Sequence, residues 1–175
     1  MYDLIKKAKN VKLLALDVDG ILSDGKIIYD VNGVETKTFY VQDGVGIKAL
    51  QDNGVIVAII TGRTSPMVAK RAQELNIKYI VQGRDDKITA LTELIEDLDL
   101  SFADCAYMGD DLPDIKALQA VGFSASVPNA HQEVVKYVDM VTTRCGGYGA
   151  VREVADTILK GIGKYDAFIC QYVSK

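Results

Sequence analysis

Short, nearly continuous apolar runs alternate along the chain with stretches whose apolar residues recur at helical spacing. Val11–Val18 and Val55–Ile60 are the strongest runs, Tyr79–Val81 and Ala106–Met108 are shorter, and Ala125–Val127 and Val138–Val141 are weaker. Helix-like stretches lie at about residues 45–53, 66–75, 86–98, 112–121, 130–136 and 149–161. Strands without in–out alternation are buried on both faces, so single helices between them predict a parallel sheet covered on each side. The expected fold class is α/β, a three-layer α/β/α open sheet in one domain over 1–175.

One segment breaks this rhythm. Residues 26–30 and 35–41 flank Val31-Asn32-Gly33, whose Asn-Gly pair favours a hairpin turn. Residues 26–41 are too few for a core of their own, so they predict an inserted hairpin flap and no large cap. At the other end, in the tail 163–175, Tyr165, Phe168, Ile169, Tyr172 and Val173 form an apolar stripe at helical spacing.

Composition narrows the chemistry. Twenty basic residues against 24 acidic ones leave a net charge of −4, which disfavours a nucleic-acid partner or a polybasic membrane surface. No apolar run reaches the roughly 18 residues of a membrane span, and the start of the chain lacks a secretory core; the expectation is a cytoplasmic protein. Three scattered cysteines and a single histidine, His131, leave few ligands for zinc. Any metal should be a hard ion bound by oxygen.

In open α/β sheets, ligands bind beyond the carboxyl ends of the strands. Those ends read Asp17-Val18-Asp19-Gly20, then Thr61-Gly62-Arg63, then Gly109-Asp110-Asp111-Leu112-Pro113-Asp114, with Lys87 opening the helix after the third strand. Several carboxylates cannot crowd together ionised without a cation. Mg²⁺ answers this, since it is usually held by a few carboxylates together with substrate phosphate. Thr61 offers a hydroxyl donor and Lys87 a point positive charge, both suited to phosphoryl oxygens.

These four motifs, in this order, resemble those of the haloacid dehalogenase-superfamily phosphatases. Ile21-Leu22-Ser23-Asp24-Gly25, Val41-Gln42-Asp43-Gly44-Val45-Gly46-Ile47 and Gly146-Gly147-Tyr148-Gly149-Ala150-Val151-Arg152-Glu153 narrow the resemblance to the capless branch of 3-deoxy-D-manno-octulosonate 8-phosphate phosphatases. The resemblance implies an aspartyl-phosphate formed on Asp17, with Asp19 as acid and then base. It implies Mg²⁺ on Asp17, Asp19 and Asp110, phosphate on Thr61, Gly62 and Lys87, and supporting roles for Asp111 and Asp114. Substrate contacts are implied for Arg63, Asp43 and Arg71. It also implies a homotetramer with active sites at subunit interfaces, assembled through the hairpin, with Arg71 and the tail reaching a neighbour. The pathway implied is lipopolysaccharide biosynthesis.

The chain departs from the branch at Gln42 and Tyr148, where basic residues are common. That keeps a nonulosonate 9-phosphate as an alternative substrate. A phospho-accepting signalling domain is a more distant alternative, disfavoured because Asp19 supplies an acid/base for turnover.

Overall fold

A computed structural model describes residues 2–173. The elements in chain order are α1 (Tyr2–Ala8), β1 (Leu13–Leu16), β2 (Ile28–Tyr29), β3 (Glu35–Thr36), α2 (Val41–Asp52), β4 (Ile56–Thr61), α3 (Pro66–Glu74) and β5 (Tyr79–Gln82). They continue with α4 (Lys87–Asp97), β6 (Cys105–Met108), α5 (Ile115–Ala120), β7 (Phe123–Ser126), β8 (Met140–Val141), α6 (Ala150–Gly161) and α7 (Tyr165–Val173). Six strands form one parallel sheet in the order β5-β4-β1-β6-β7-β8. The all-parallel open sheet matches the expected fold class.

The side-chain alternation of each strand divides the core in two. Leu13 and Ala15 of β1, Ala58 and Ile60 of β4, and Cys105 and Tyr107 of β6 pack with Ala90, Leu91 and Leu94 of α4 and Leu118 of α5. The intervening residues Leu14, Leu16, Val57, Ile59, Ala106 and Met108 pack with α2, α3 and α6. Both faces are therefore buried, which is why these strands carry no polar alternation.

The hairpin follows β1 as expected, but its paired arms are short, β2 and β3 alone. Residues 37–40 leave the ladder, and α2 starts at Val41 rather than near residue 45. The expected helix at 130–136 is only a 3-10 turn at Val134–Tyr137, and α1 was not anticipated. The tail stripe forms α7, in which Phe168 is buried and Tyr172 and Val173 are exposed; Met1, Ser174 and Lys175 lie outside the described residues. Among the described residues, no helix is long and apolar enough to cross a membrane.

Candidate active site

The carboxyl ends of β1, β4 and β6 open onto a cleft of about 330 Å³. It is lined by Asp17, Asp19, Thr61, Gly62, Arg63, Lys87, Asp110 and Asp111, with Gly25, Asp85 and Pro113. Eight residues expected from the strand ends thus converge. Asp17 extends β1, its N–H donating to Met108 C=O at 3.0 Å, and the chain then turns sharply at Gly20, where φ is +89°. On the neighbouring strands, Ser126 Oγ donates to Gly109 C=O at 2.7 Å, and the His131 N–H donates to Asp110 C=O at 2.9 Å. These bonds fix the loop that carries Asp110.

Lys87, the first residue of α4, is buried between two carboxylates. Its Nζ lies 2.9 Å from Asp17 Oδ2 and 2.7 Å from Asp114 Oδ1. Burial alone would lower its pKa, but Asp17 and Asp114 outweigh that and raise it, so the ammonium stays charged. Asp114 does not line the cleft. It is fully buried, accepting from Lys87, from Tyr107 Oη at 2.8 Å, and from the Asp110 and Asp111 N–H groups at 3.2 and 3.1 Å. It anchors Lys87 and the loop, while Asp111 accepts from the Leu112 N–H at 2.8 Å.

Three carboxylates, those of Asp17, Asp110 and Asp114, bring one oxygen each within 4.8 Å of one another. Asp114 is spent on its donors, which leaves Asp17 and Asp110 for a cation. Asp110 Oδ1 is buried without a hydrogen-bond partner among the described residues. Burial first, and then Asp17 and Asp114, push the Asp110 carboxyl up to about 7. Burial and Asp114 likewise raise Asp17 to about 6 against the pull of Lys87. A hard divalent ion supplies the missing partner and relieves the repulsion, so this donor set fits Mg²⁺.

Glycines let the backbone close on this cluster. A Cβ on Gly20 would fall 2.0 Å from Asp110 Oδ2, and one on Gly146 would fall 1.7 Å from the Gly20 carbonyl oxygen. Gly146 N–H also donates to Asn129 Oδ1, and Gly147 N–H to Ile21 C=O at 2.9 Å. The Gly-rich segment is thus a second wall against the Asp17–Gly20 turn.

The sequence reading did not single out the hairpin residues beside the cleft. Lys37 pairs with Asp19, and Glu35 pairs with Arg63 at 2.8 Å. Tyr107, Asp85 and Asn129 were missed too; none belongs to a motif, and each is recognisable only by contact. Conversely, Asp43 and Arg71 are not brought to this chain's cleft. Asp43 is buried in the first turn of α2 and accepts from the Arg152 N–H at 2.8 Å, anchoring the start of α6. Arg71 pairs with Glu74 and lies over the Phe39 ring. Gln42 accepts from Arg144 at 2.9 Å, and Tyr148 packs against Tyr40; neither lines the cleft.

An open parallel sheet with aspartates, threonine and lysine at its carboxyl edge defines a haloacid dehalogenase-like hydrolase, and the model of that family matches residues 79–149. The 3-deoxy-D-manno-octulosonate 8-phosphate phosphatase KdsC of Escherichia coli (strain K12) is 45% identical over 94% of this chain and 87% of its own length. The chain belongs to the family of 3-deoxy-D-manno-octulosonate 8-phosphate phosphatases. A crystal structure of the Moraxella catarrhalis phosphatase, in complex with magnesium ion, phosphate ion and KDO molecule, has a TM-score of 0.96 at 55% identity, covering 98% of this chain and 99% of that one. The cobalt-bound Haemophilus influenzae phosphatase has a TM-score of 0.88 at 41% identity, covering 93% of this chain and 95% of that one.

Proposed function

We propose that this protein is a Mg²⁺-dependent phosphomonoesterase that hydrolyses 3-deoxy-D-manno-octulosonate 8-phosphate to the sugar acid and inorganic phosphate. The observation that carries the reading is the pairing of Asp17 with a buried Lys87 at the floor of the cleft, beside the unpartnered oxygen of Asp110. Asp17, the Asp19 carbonyl and Asp110 would hold Mg²⁺, which neutralises carboxylate charge and polarises a phosphoryl oxygen when bound.

Asp17 attacks phosphorus, and the P–O bond to the sugar breaks as Asp19 gives its proton to the leaving alkoxide. Water then attacks the aspartyl-phosphate while Asp19, now a carboxylate, takes a proton, and phosphate leaves. Lys87, the Thr61 hydroxyl and the Gly62 backbone receive the phosphoryl oxygens, placing donors where charge is carried. Asp114 and Asp111 hold Lys87 and the loop in register. Arg63 faces the acid end of the sugar, for which a guanidinium fork is well shaped.

The assembly belongs to the same reading. A homotetramer built on the hairpin explains why Ile27, Ile28, Tyr29, Val31 and Val34 are exposed in one chain. There Arg71 and α7 would complete or cover a neighbour's site. The setting is cytoplasmic supply of the lipopolysaccharide sugar. The test is phosphate release with Mg²⁺ from the eight-carbon acid, a nine-carbon analogue and a hexose phosphate, with Asp17→Asn as the control. Preference for the eight-carbon acid is expected, with turnover abolished by Asp17→Asn. Preference for the nine-carbon acid refutes the substrate. A stable acyl-phosphate without turnover refutes the enzyme.

A further inference from the structure

Lysine is among the residues least often buried, and a buried one is paired. Lys37 follows β3, its side chain is only 3% exposed, and it ends on Asp19 Oδ1, with Glu35 Oε1 3.9 Å away. Glu35 gives its other oxygen to Arg63 Nη2 at 2.8 Å, while its Oε1 has no hydrogen-bond partner among the described residues and serves Lys37 through charge alone. Four side chains of alternating sign, Asp19, Lys37, Glu35 and Arg63, therefore run from the turn after β1 through the hairpin to the loop after β4. Asp19 and Arg63 line the cleft, and Lys37 and Glu35 stand behind them.

Among the described residues, the only other side chain on the Asp19 carboxylate is Ser23 Oγ, at 3.3 Å. A long contact from one hydroxyl leaves the carboxylate free to turn, whereas an ammonium held between two carboxylates fixes it. Desolvating an ammonium costs several kcal/mol unless its partners are well placed. A lysine that merely tied the hairpin to the body could do so from the solvated surface.

We propose that Lys37 is a positioning residue for the reaction. From the hairpin it holds the Asp19 carboxyl group, protonated towards the leaving oxygen and then ionised towards the water. Through Glu35, that hold is mechanically joined to Arg63, the group facing the acid end of the substrate. The proposal rests on the reading of Asp19 as acid and base, and its test separates the two.

The test measures kcat and KM for 3-deoxy-D-manno-octulosonate 8-phosphate with the whole chain and Mg²⁺, in wild type, Lys37→Met, Lys37→Arg, Asp19→Asn and the Lys37→Met/Asp19→Asn double variant. General acid–base catalysis is worth roughly 10²- to 10⁴-fold, and losing its positioning should forfeit part of that. Lys37→Met should lower kcat about 10- to 100-fold with KM within about threefold, and Lys37→Arg should recover most of the loss. With Asp19 already replaced, the same Lys37 change should cost less than about twofold, because groups acting as a unit are not additive.

An equal fractional loss with and without Asp19 overturns the proposal, as does a raised KM at unchanged kcat. A fully active Lys37→Met beside a crippled Asp19→Asn overturns the role of Lys37 alone. A fully active Asp19→Asn overturns the reading of Asp19 and the proposal with it. If Lys37→Met does not fold, Lys37→Gln carries the comparison: a lowered kcat at constant KM that disappears in the Asp19→Asn background supports the role, and any other pattern overturns it.

Discussion

Replacing Gly146 by alanine tests whether the Gly-rich segment sets the position of the nucleophile. The new Cβ would lie 1.7 Å from the Gly20 carbonyl oxygen, 2.4 Å from its carbon and 3.0 Å from the Ile21 nitrogen. These are backbone atoms of the turn that carries Asp17 and Asp19, so no side chain can swing aside. Ordinary contact begins near 3.4 Å, and the two backbones must part by more than about 1 Å. Gly146 has no positive φ, so the effect is steric rather than conformational. Overpacking of this kind costs about 1–3 kcal/mol, and a misplacement of about 1 Å at reacting groups costs on the order of 10²-fold in rate. Gly54 supplies the contrast: its φ is +83° and a Cβ there meets open space, so Gly54→Ala should cost about 1–2 kcal/mol and spare the rate. The assay is steady-state phosphate release at saturating Mg²⁺ beside urea unfolding. A Gly146→Ala enzyme whose kcat stays within threefold of wild type and whose urea midpoint is unchanged would refute the reasoning.

Two further outcomes are expected. Burial raises the Asp43 carboxyl from 3.8 to about 6, so between those values the folded chain holds a proton that the unfolded chain has lost. Stability therefore falls as pH rises from about 4 to about 6. Asp43→Asn should remove that slope and gain up to about 3 kcal/mol at pH 7; urea midpoints at pH 4, 5, 6 and 7 check it, and parallel curves for the two proteins would contradict it. Deleting the hairpin tip Val31-Asn32-Gly33 should lower the mass seen by light scattering, whereas an unchanged mass dismisses the hairpin as an assembly element.

Much of the site was legible because strand ends in a parallel sheet are also binding positions. Asp17, Thr61, Lys87 and Asp110 needed only that rule and their own chemistry. The hairpin was harder. Phe39-Tyr40-Val41 has strand-forming residues, yet Tyr40 precedes the first turn of α2, because Lys37 must drop to Asp19 and the chain must turn back onto α6. Gly44 falls just before the helix expected at about 45–53, yet it lies with Gly46 inside α2, where side chains would strike Arg71, Arg152 and Ala155. Their role is close helix packing, which no local propensity reports. Asp43, expected as a substrate contact, lies away from this chain's cleft and anchors another helix through a contact spanning more than a hundred residues. Lys37 and Glu35 were invisible for the same reason: their partners exist only once the hairpin folds back.

The placement of β1 has a consequence for how the molecule is made. β1 precedes the other five strands of the sheet along the chain, yet it lies inside the sheet between β4 and β6. Its Leu13-Leu14-Ala15-Leu16 backbone gains one neighbour when residues 56–59 emerge and the second only with 105–108. Until then a fully apolar strand carries an open edge, the feature that recruits other chains into aggregates. Nascent or prematurely ended chains that stop before β6 are therefore the dangerous species for this protein. A pause in synthesis before residues 105–108 have emerged from the ribosome would lengthen that exposure, whereas a pause after they have emerged would find β1 able to be sealed.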